Sequence, residues 1–264
     1  MALKLNATRE AYKEFHGKNV EQMPKLIADG RVPMNVAGLM QRRLDVRNSD
    51  ADVKTSYMDN YFDTGDAVAY HPDGRVKIVL DSQTLRGITL NNELRNGALV
   101  LTEDDYSALQ GEEFKKGKLG KVDEQLSREQ AKAHPVWKVL ARDQALLNDY
   151  VDYIFAEGKE RFGYDTAMGV FQSSAQGNTP DLRTWCVLWL EGRSDALGRL
   201  LLGGSGGRFL GIAPEALSAP GKGASYIKSY TMADLQSFDG AVKGLEATVR
   251  PELLEPFAQL RKKL

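Results

Sequence analysis

Carboxylates are the side chains of this sequence whose placement bears most directly on chemistry, and Asp143 is the clearest case. It falls in the segment from Pro135 to about Glu157, where apolar residues recur with a helical period and Asp143 lies among them. A carboxylate in an apolar core requires a partner, because removing an unpaired charge from water is strongly unfavourable. The sequence therefore predicts that Asp143 is either a paired interior carboxylate or a general base in a cleft.

A second group of carboxylates occurs in the stretch 59–66, which reads Asp-Asn-Tyr-Phe-Asp-Thr-Gly-Asp. Asp63 and Asp66 are candidate oxygen ligands for a divalent cation. The stretch lacks the ligand spacing and the distant glutamate of a calcium loop, so solvated turn residues are the alternative interpretation. No other cofactor is expected.

Arginines occur at the end of a predicted helix over residues 33–47, which follows a shorter predicted helix over residues 20–28. The two helices and their turn form a helix-turn-helix unit in which Arg42 and Arg47 are candidate nucleic-acid contacts through phosphate. Aspartates in and after the second helix oppose this interpretation, because they would repel a nucleic-acid backbone.

Arg43 lies near the apolar side of the same predicted helix. A guanidinium group pairs well with a buried carboxylate, so Arg43 or Arg47 is a candidate partner for Asp143. In a catalytic interpretation, Arg43 faces a phosphate while Asp143, with Asp63 or Asp66, surrounds a divalent cation. That arrangement would be a carboxylate-based, metal-dependent hydrolase or transferase acting on a phosphate-containing substrate.

Nucleophile and zinc motifs are incomplete. The segment Gly203–Gly207 matches the G-x-S-x-G pattern, but every histidine precedes Ser205, whereas the hydrolase order needs a histidine after the serine. We therefore predict a flexible hairpin loop. Three scattered histidines and one cysteine, Cys186, exclude the usual zinc ligand sets.

Composition is that of a folded globular protein: 264 residues, 42% hydrophobic and 27% charged. A formal net charge of -1 gives no overall attraction to nucleic acid or to an anionic membrane. The single cysteine cannot form an internal disulfide, and neither a signal peptide nor a membrane span is evident. These features predict a cytoplasmic protein with no membrane partner.

In the first half of the chain, roughly the first 60 residues are predicted to be helical, including a helix over residues 9–16. The periodicity then changes to two, and His71–Gly74 separates two apolar runs, 67–70 and 75–80, as a hairpin turn. The glycine- and lysine-rich stretch 111–123 reads as a linker.

The second half opens with the continuous helix 135–157, followed by short strands at 183–190, 199–202 and 208–213. Helices starting at Thr231 and Pro251 close the chain.

Grouped helices and grouped strands predict an α+β fold. An N-terminal helical segment with a small antiparallel sheet precedes a long central helix packed on a second, mostly antiparallel sheet with C-terminal helices. The linker predicts a boundary between subdomains 1–120 and 121–264, and a single domain is the alternative.

Without a complete motif, the leading functional hypothesis is a non-catalytic binding protein whose partner is another macromolecule, most simply a protein. The metal-dependent hydrolase or transferase and the nucleic-acid-binding module over residues 20–47 stay open as alternatives. A cleft that joins Asp143, Asp63 and Asp66 would favour the enzyme. Exposure of Arg42 beside other basic groups would favour nucleic acid.

Overall fold

The structure is a computed structural model that describes residues 10–115, 118–119, 124–214 and 216. The chain divides into two units, Met1–Gly223 and Ala224–Leu264. The described residues all lie in the first unit. The helices predicted from Thr231 and Pro251 therefore lie outside the described residues. Among the described residues, no helix has both the length and the apolar character needed to cross a bilayer.

Strands and helices are numbered here in chain order. The strands are β1 (Tyr12–His16), β2 (Val32–Pro33), β3 (Phe62–Tyr70), β4 (Val76–Val79), β5 (Leu94–Arg95), β6 (Ala98–Val100), β7 (Glu112–Phe114), β8 (Val170–Phe171), β9 (Asp181–Val187), β10 (Ala196–Leu197) and β11 (Arg208–Ile212). The helices are α1 (Asn19–Ala28), α2 (Val36–Asp45), α3 (Ala51–Met58), α4 (Gln83–Arg86), α5 (Glu103–Ala108), α6 (Arg128–Ala133), α7 (Pro135–Ala141) and α8 (Gln144–Phe162). A 3-10 turn covers Val46–Asn48.

The hairpin predicted around His71–Gly74 is present as β3 and β4. The His71 N–H donates to the Arg75 carbonyl at 2.9 Å, and Gly74 has a φ of +92°. Glycine adopts a positive φ without the steric penalty that a side chain imposes, so the local sequence closes this turn.

One mixed sheet contains the strands. Its central order is β1-β11-β3-β9-β10-β8, with β4 and β6 paired to β3 and β9 respectively. β11 and β3 run parallel, as do β8 and β10, whereas β3 and β9 are antiparallel. The mixed α+β class is confirmed. The two separate sheets are not found, because β3 and β9, which we assigned to different sheets, are direct neighbours. The subdomain boundary near residue 120 stays a prediction.

Both faces of the sheet are covered. All nine residues of β3 are buried, and they alternate between two apolar clusters. Val68 and Tyr70 pack with residues of α2, α7 and α8, whereas Ala67 and Ala69 pack with residues of α1, α4 and α5. Only its second half, Ala67 to Tyr70, has the continuous apolar sequence of a strand buried on both faces, whereas the first half buries Asp63, Thr64 and Asp66.

The N-terminal prediction is wrong at residues 12–16, which form β1 rather than a helix. β1 pairs along its whole length with β11, from Tyr12 opposite Ile212 to His16 opposite Arg208. Pairing with a strand almost two hundred residues away overrides a helix-compatible local sequence, because strand formation depends on its cross-strand neighbours.

The predicted helix 135–157 is also wrong as a single element. It is broken between α7 and α8, where Arg142 has a φ of +63° and Asp143 precedes the new helix. Asp143 is exposed and its Oδ1 accepts a hydrogen bond from the Leu146 N–H at 2.7 Å. Aspartate favours this N-cap position, so a capping residue was misread as an interior one. The strand predicted at 199–202 is likewise irregular.

Candidate functional site

Asp66, rather than Asp143, is a buried carboxylate on the face of the sheet that packs against α2, α7 and α8. Its Oδ1 accepts hydrogen bonds from the Asp81 N–H at 2.9 Å and from the Arg142 guanidinium at 2.7 Å. Its Oδ2 accepts from the Val36 N–H at 2.9 Å, at the start of α2. Burial raises the pKa of Asp66, and the Arg142 charge opposes that rise. Every acceptor of this carboxylate is therefore used within the fold.

Arg142 also binds Asp81, with Nη1 to Oδ2 at 2.5 Å. Despite burial, which acts the other way, the Arg142 hydrogen bond and charge lower the pKa of Asp81. Both residues have a positive φ, +63° for Arg142 and +47° for Asp81. Ion pairs from Arg142 to Asp66 and Asp81 thus connect the α7–α8 junction to the β4–α4 connection. The sequence does not single out Arg142, because its apolar periodicity predicts one continuous helix across this junction.

Asp63 lies on the opposite side of β3 from Asp66, as their contacts show: Asp63 lies beside Asn19 of α1, whereas Asp66 contacts α2 and Arg142. Its Oδ2 accepts from the Arg208 N–H at 2.9 Å, and Cys186 is its direct neighbour on β9. Burial raises the pKa of Asp63 to about 6. Burial likewise raises the pKa of the Cys186 thiol, which argues against a nucleophilic thiolate.

The candidate carboxylates consequently do not converge. Asp143 caps α8, Asp66 is saturated by internal partners, and Asp63 faces the other cluster. Within the described ranges, no group of three or more histidine, cysteine, aspartate or glutamate side chains is placed to hold a metal ion. Among the described residues, this geometry therefore gives no support to a carboxylate metal site for a hydrolase or transferase.

Arg43 is fully buried and is not the partner of Asp143. Its guanidinium donates to the carbonyl oxygens of Tyr57, Asn60 and Leu188 and to the Tyr150 hydroxyl, at 2.8–3.0 Å. Guanidinium presents several donors in a fixed plane and so can connect chain segments that lie far apart in sequence. Arg43 is in place to hold structure rather than to face a substrate.

The remaining arginine candidates, Arg42 and Arg47, differ in exposure. Arg42 is half-buried between the rings of Tyr12 and Tyr57, with its guanidinium carbon 4.6 and 4.8 Å from the two centroids. Arg47 is exposed in the 3-10 turn after α2. The Arg42 guanidinium is thus engaged by two aromatic rings of the fold, and the role of Arg42 and Arg47 as nucleic-acid contacts stays a prediction.

A different feature stands out in the segment 188–207, which joins β9 to β11 and is irregular except for β10. Side chains of the framework donate hydrogen bonds to its carbonyl oxygens. The donors and acceptors are Arg43 to Leu188, Tyr164 to Leu190, Tyr70 to Gly198, Arg183 to Arg199 and Leu200, and Tyr61 to Gly206. Backbone hydrogen bonds hold the segment as well, among them Leu190 N–H to the Met58 carbonyl at 2.7 Å and Gly198 N–H to the Phe171 carbonyl at 2.8 Å. Side chains of other elements therefore add to the bonds that fix this backbone.

Two neighbouring segments pack beside it. Arg183 also donates to the Asn96 carbonyl at 3.0 Å, and Arg95 donates to the Thr179 hydroxyl at 2.9 Å. The Leu202 N–H donates to the Gly97 carbonyl at 2.7 Å. We call the surface formed by residues 87–97, 173–179 and 198–206 the loop face. Its three segments share one hydrogen-bonded scaffold.

Exposed side chains on the loop face are mostly uncharged. Leu90 and Leu201 are 65% and 54% exposed, more than the other large hydrophobic residues of the described chain. Around them lie exposed asparagine, serine and glycine residues and few charges: Asn91, Asn92, Asn96, Ser174, Gly177, Asn178, Ser205 and Gly206, with Glu93 and Arg199. The sequence signals for this surface were the polar, turn-rich stretches, which we read only as connections.

A search of solved structures finds a similar one, from work on the accommodation of massive sequence variation in Nanoarchaeota by the C-type lectin fold. The TM-score is 0.58 and the identity is 16%, and the match covers 78% of this chain and 99% of the other. The likeness is one of fold. No protein-family model matches the sequence, and no curated protein matches it either. A fold similar to the C-type lectin fold thus positions the loop face.

Proposed function

We propose that this protein binds another protein through the loop face. The observation that carries the proposal is that segment 198–206 has a fixed backbone and exposed side chains. Arg183 and Tyr70 donate hydrogen bonds to its carbonyl oxygens, whereas Leu201 and Ser205 are exposed to solvent. A preorganised backbone lowers the entropic cost of binding, since little ordering is left to occur in the complex.

Composition supports a protein partner over a nucleic acid. Asparagine, serine and glycine provide adaptable hydrogen bonding in binding loops, and exposed apolar side chains such as Leu90 and Leu201 serve as anchors. Nucleic-acid recognition would require a concentration of basic side chains. The similar solved structure supports binding only through its fold, which in that work accommodates massive sequence variation.

The first experiment identifies the partner by position. A photoreactive amino acid is placed at Leu90 or Leu201, and in matched controls at Ile27 or Val53, which are 39% and 37% exposed on α1 and α3. We expect one protein to be cross-linked from the two loop positions in cells of the source organism and not from the two controls.

The second step measures affinity for that purified protein. The double variant L90D/L201D should weaken binding at least tenfold, because buried apolar anchors carry much of the free energy of such interfaces. The control variant I27D/V53D should bind like the parent protein. Equal affinity of L90D/L201D and the parent, or equal cross-linking from all four positions, would refute the proposal.

A further inference from the structure

The loop face rejoins the sheet at Gly207, directly above Asp63. The Arg208 N–H donates to Asp63 Oδ2 at 2.9 Å, and the Gly17 N–H donates to the Gly207 carbonyl at 2.8 Å. A Cβ atom at Gly207 would overlap Asn19 Oδ1, so the chain can approach α1 this closely only as glycine. Asp63 and Asn19 are each 1% exposed.

Two oxygen atoms in this cluster accept no hydrogen bond, Asp63 Oδ1 and Asn19 Oδ1. A buried acceptor without a donor is unfavourable, because it has lost its hydrogen bonds to water. The Asn19 side chain lies within hydrogen-bonding reach of the Asp63 carboxyl group. One proton on Asp63 Oδ1 would convert an unpartnered acceptor into a donor and would supply the hydrogen bond that the cluster lacks.

Charges around Asp63 do not compensate it when it is ionised. Burial raises its pKa to about 6, and the Arg208 N–H, Asn19 and Cys186, which act to lower the pKa, do not offset that rise. The Arg208 guanidinium is itself engaged by Glu14 at 2.6 Å and by Asn60. The titratable or charged groups nearest to it on the surrounding elements are Cys186 on β9, Arg208 on β11, Glu14 and His16 on β1, Tyr61 before β3, and the surface pair Lys18–Glu21 at the start of α1.

We propose that protonation of Asp63 fastens the end of the loop face to the sheet, so that residues 204–208 open less often in mildly acidic than in neutral solution. Opening admits water to Asp63 and returns its pKa to the ordinary range, whereas the closed state favours the proton. The closed state of residues 204–208 is therefore increasingly favoured as pH falls through about 6, and it is least favoured above that pH. The role of this fastening in presenting the binding surface rests on the proposed function; the fastening itself does not.

Amide hydrogen exchange of the full chain tests the proposal. Protection factors for residues 204–208, corrected for the intrinsic pH dependence of exchange, should rise about tenfold between pH 7.5 and pH 5.0. In Asp63→Asn they should be independent of pH. Asp195→Asn is the matched control, because burial raises the pKa of Asp195 to about 6 as well, yet its partners are Gln125 and Gly169. That variant should keep the tenfold response at residues 204–208.

A flat response in the parent protein, or a response retained in Asp63→Asn, would overturn the proposal. Should Asp63→Asn fail to fold, carbon NMR of the Asp63 carboxyl group in the parent protein decides instead. A titration midpoint near 6, together with the tenfold exchange response at residues 204–208 in the parent protein, supports it, and a midpoint near 4 refutes it. Neither measurement involves a partner, so failure of the protein-binding proposal would leave their outcome unchanged.

Discussion

At the scale of single residues, Arg142 stabilises the buried charge of Asp66. Asp66 is completely buried, and Arg142 is the cation that contacts it. Arg142→Met keeps most of the side-chain length but leaves Asp66 unpaired, and we expect the free energy of unfolding to fall by about 3–5 kcal/mol. The double variant R142M/D66N removes the stranded charge and should recover part of this loss. Denaturant unfolding measures both, and a double variant no more stable than R142M would contradict the assignment.

At the scale of elements, Gly158 of α8 is a position where we expect packing to outweigh helix propensity. In the interior of an exposed helix, replacing glycine with alanine adds about 1 kcal/mol of stability. In α8, however, a Cβ at Gly158 would overlap the Tyr164 ring, whose hydroxyl donates to the Leu190 carbonyl at 2.9 Å. We therefore expect Gly158→Ala to destabilise the fold, by about 1–3 kcal/mol, as overpacking does.

Unfolding of Gly158→Ala in denaturant gives the sign directly. Gly158→Ala combined with Tyr164→Leu is the control, because it removes the aromatic ring that the new methyl group would meet. Stabilisation by Gly158→Ala alone would show that helix propensity outweighs this contact.

Elements also show which features a sequence can reveal. The hairpin of β3 and β4 was predictable because its turn and alternating strands lie within about twenty residues. Asp66 and Arg142 are separated by 76 positions, and β1 finds its partner only in β11, so neither contact leaves a periodic trace. Asp143 was misplaced because periodicity cannot distinguish an interior position from a cap at which one helix gives way to another.

For the whole molecule, buried titratable groups act in opposite directions on stability. Burial raises the pKa of Asp63 and Asp195 to about 6 and lowers the pKa of His134 to about 4. As pH falls from 7.5 to 5, the two carboxyl groups take up protons preferentially in the folded state and stabilise it. His134 takes up its proton preferentially in the unfolded state and destabilises the fold. The two carboxyl groups together stabilise by roughly 3 kcal/mol at pH 5 and His134 opposes them by roughly 2 kcal/mol, so these three groups largely offset one another.

Two variants separate these contributions. His134→Asn keeps an oxygen that can accept from the Val136 N–H, as the imidazole does now, and its stability should rise toward pH 5. Asp195→Asn should show the reverse trend, a fall toward pH 5. Thermal or denaturant unfolding at several pH values measures both profiles, and parallel profiles in the two variants would disprove the opposition.

The hydrogen bonds that framework side chains donate to the carbonyls of segment 188–207 have a consequence for evolution. Carbonyl groups are the same in every residue, so donors such as Arg183, Tyr70 and Tyr164 hold the backbone whatever side chains it carries. Selection can then act on two sets of positions independently. Among homologues, we expect those donors to be conserved while positions such as Leu90 and Leu201 diverge, so that the exposed surface changes while the fold that presents it stays the same.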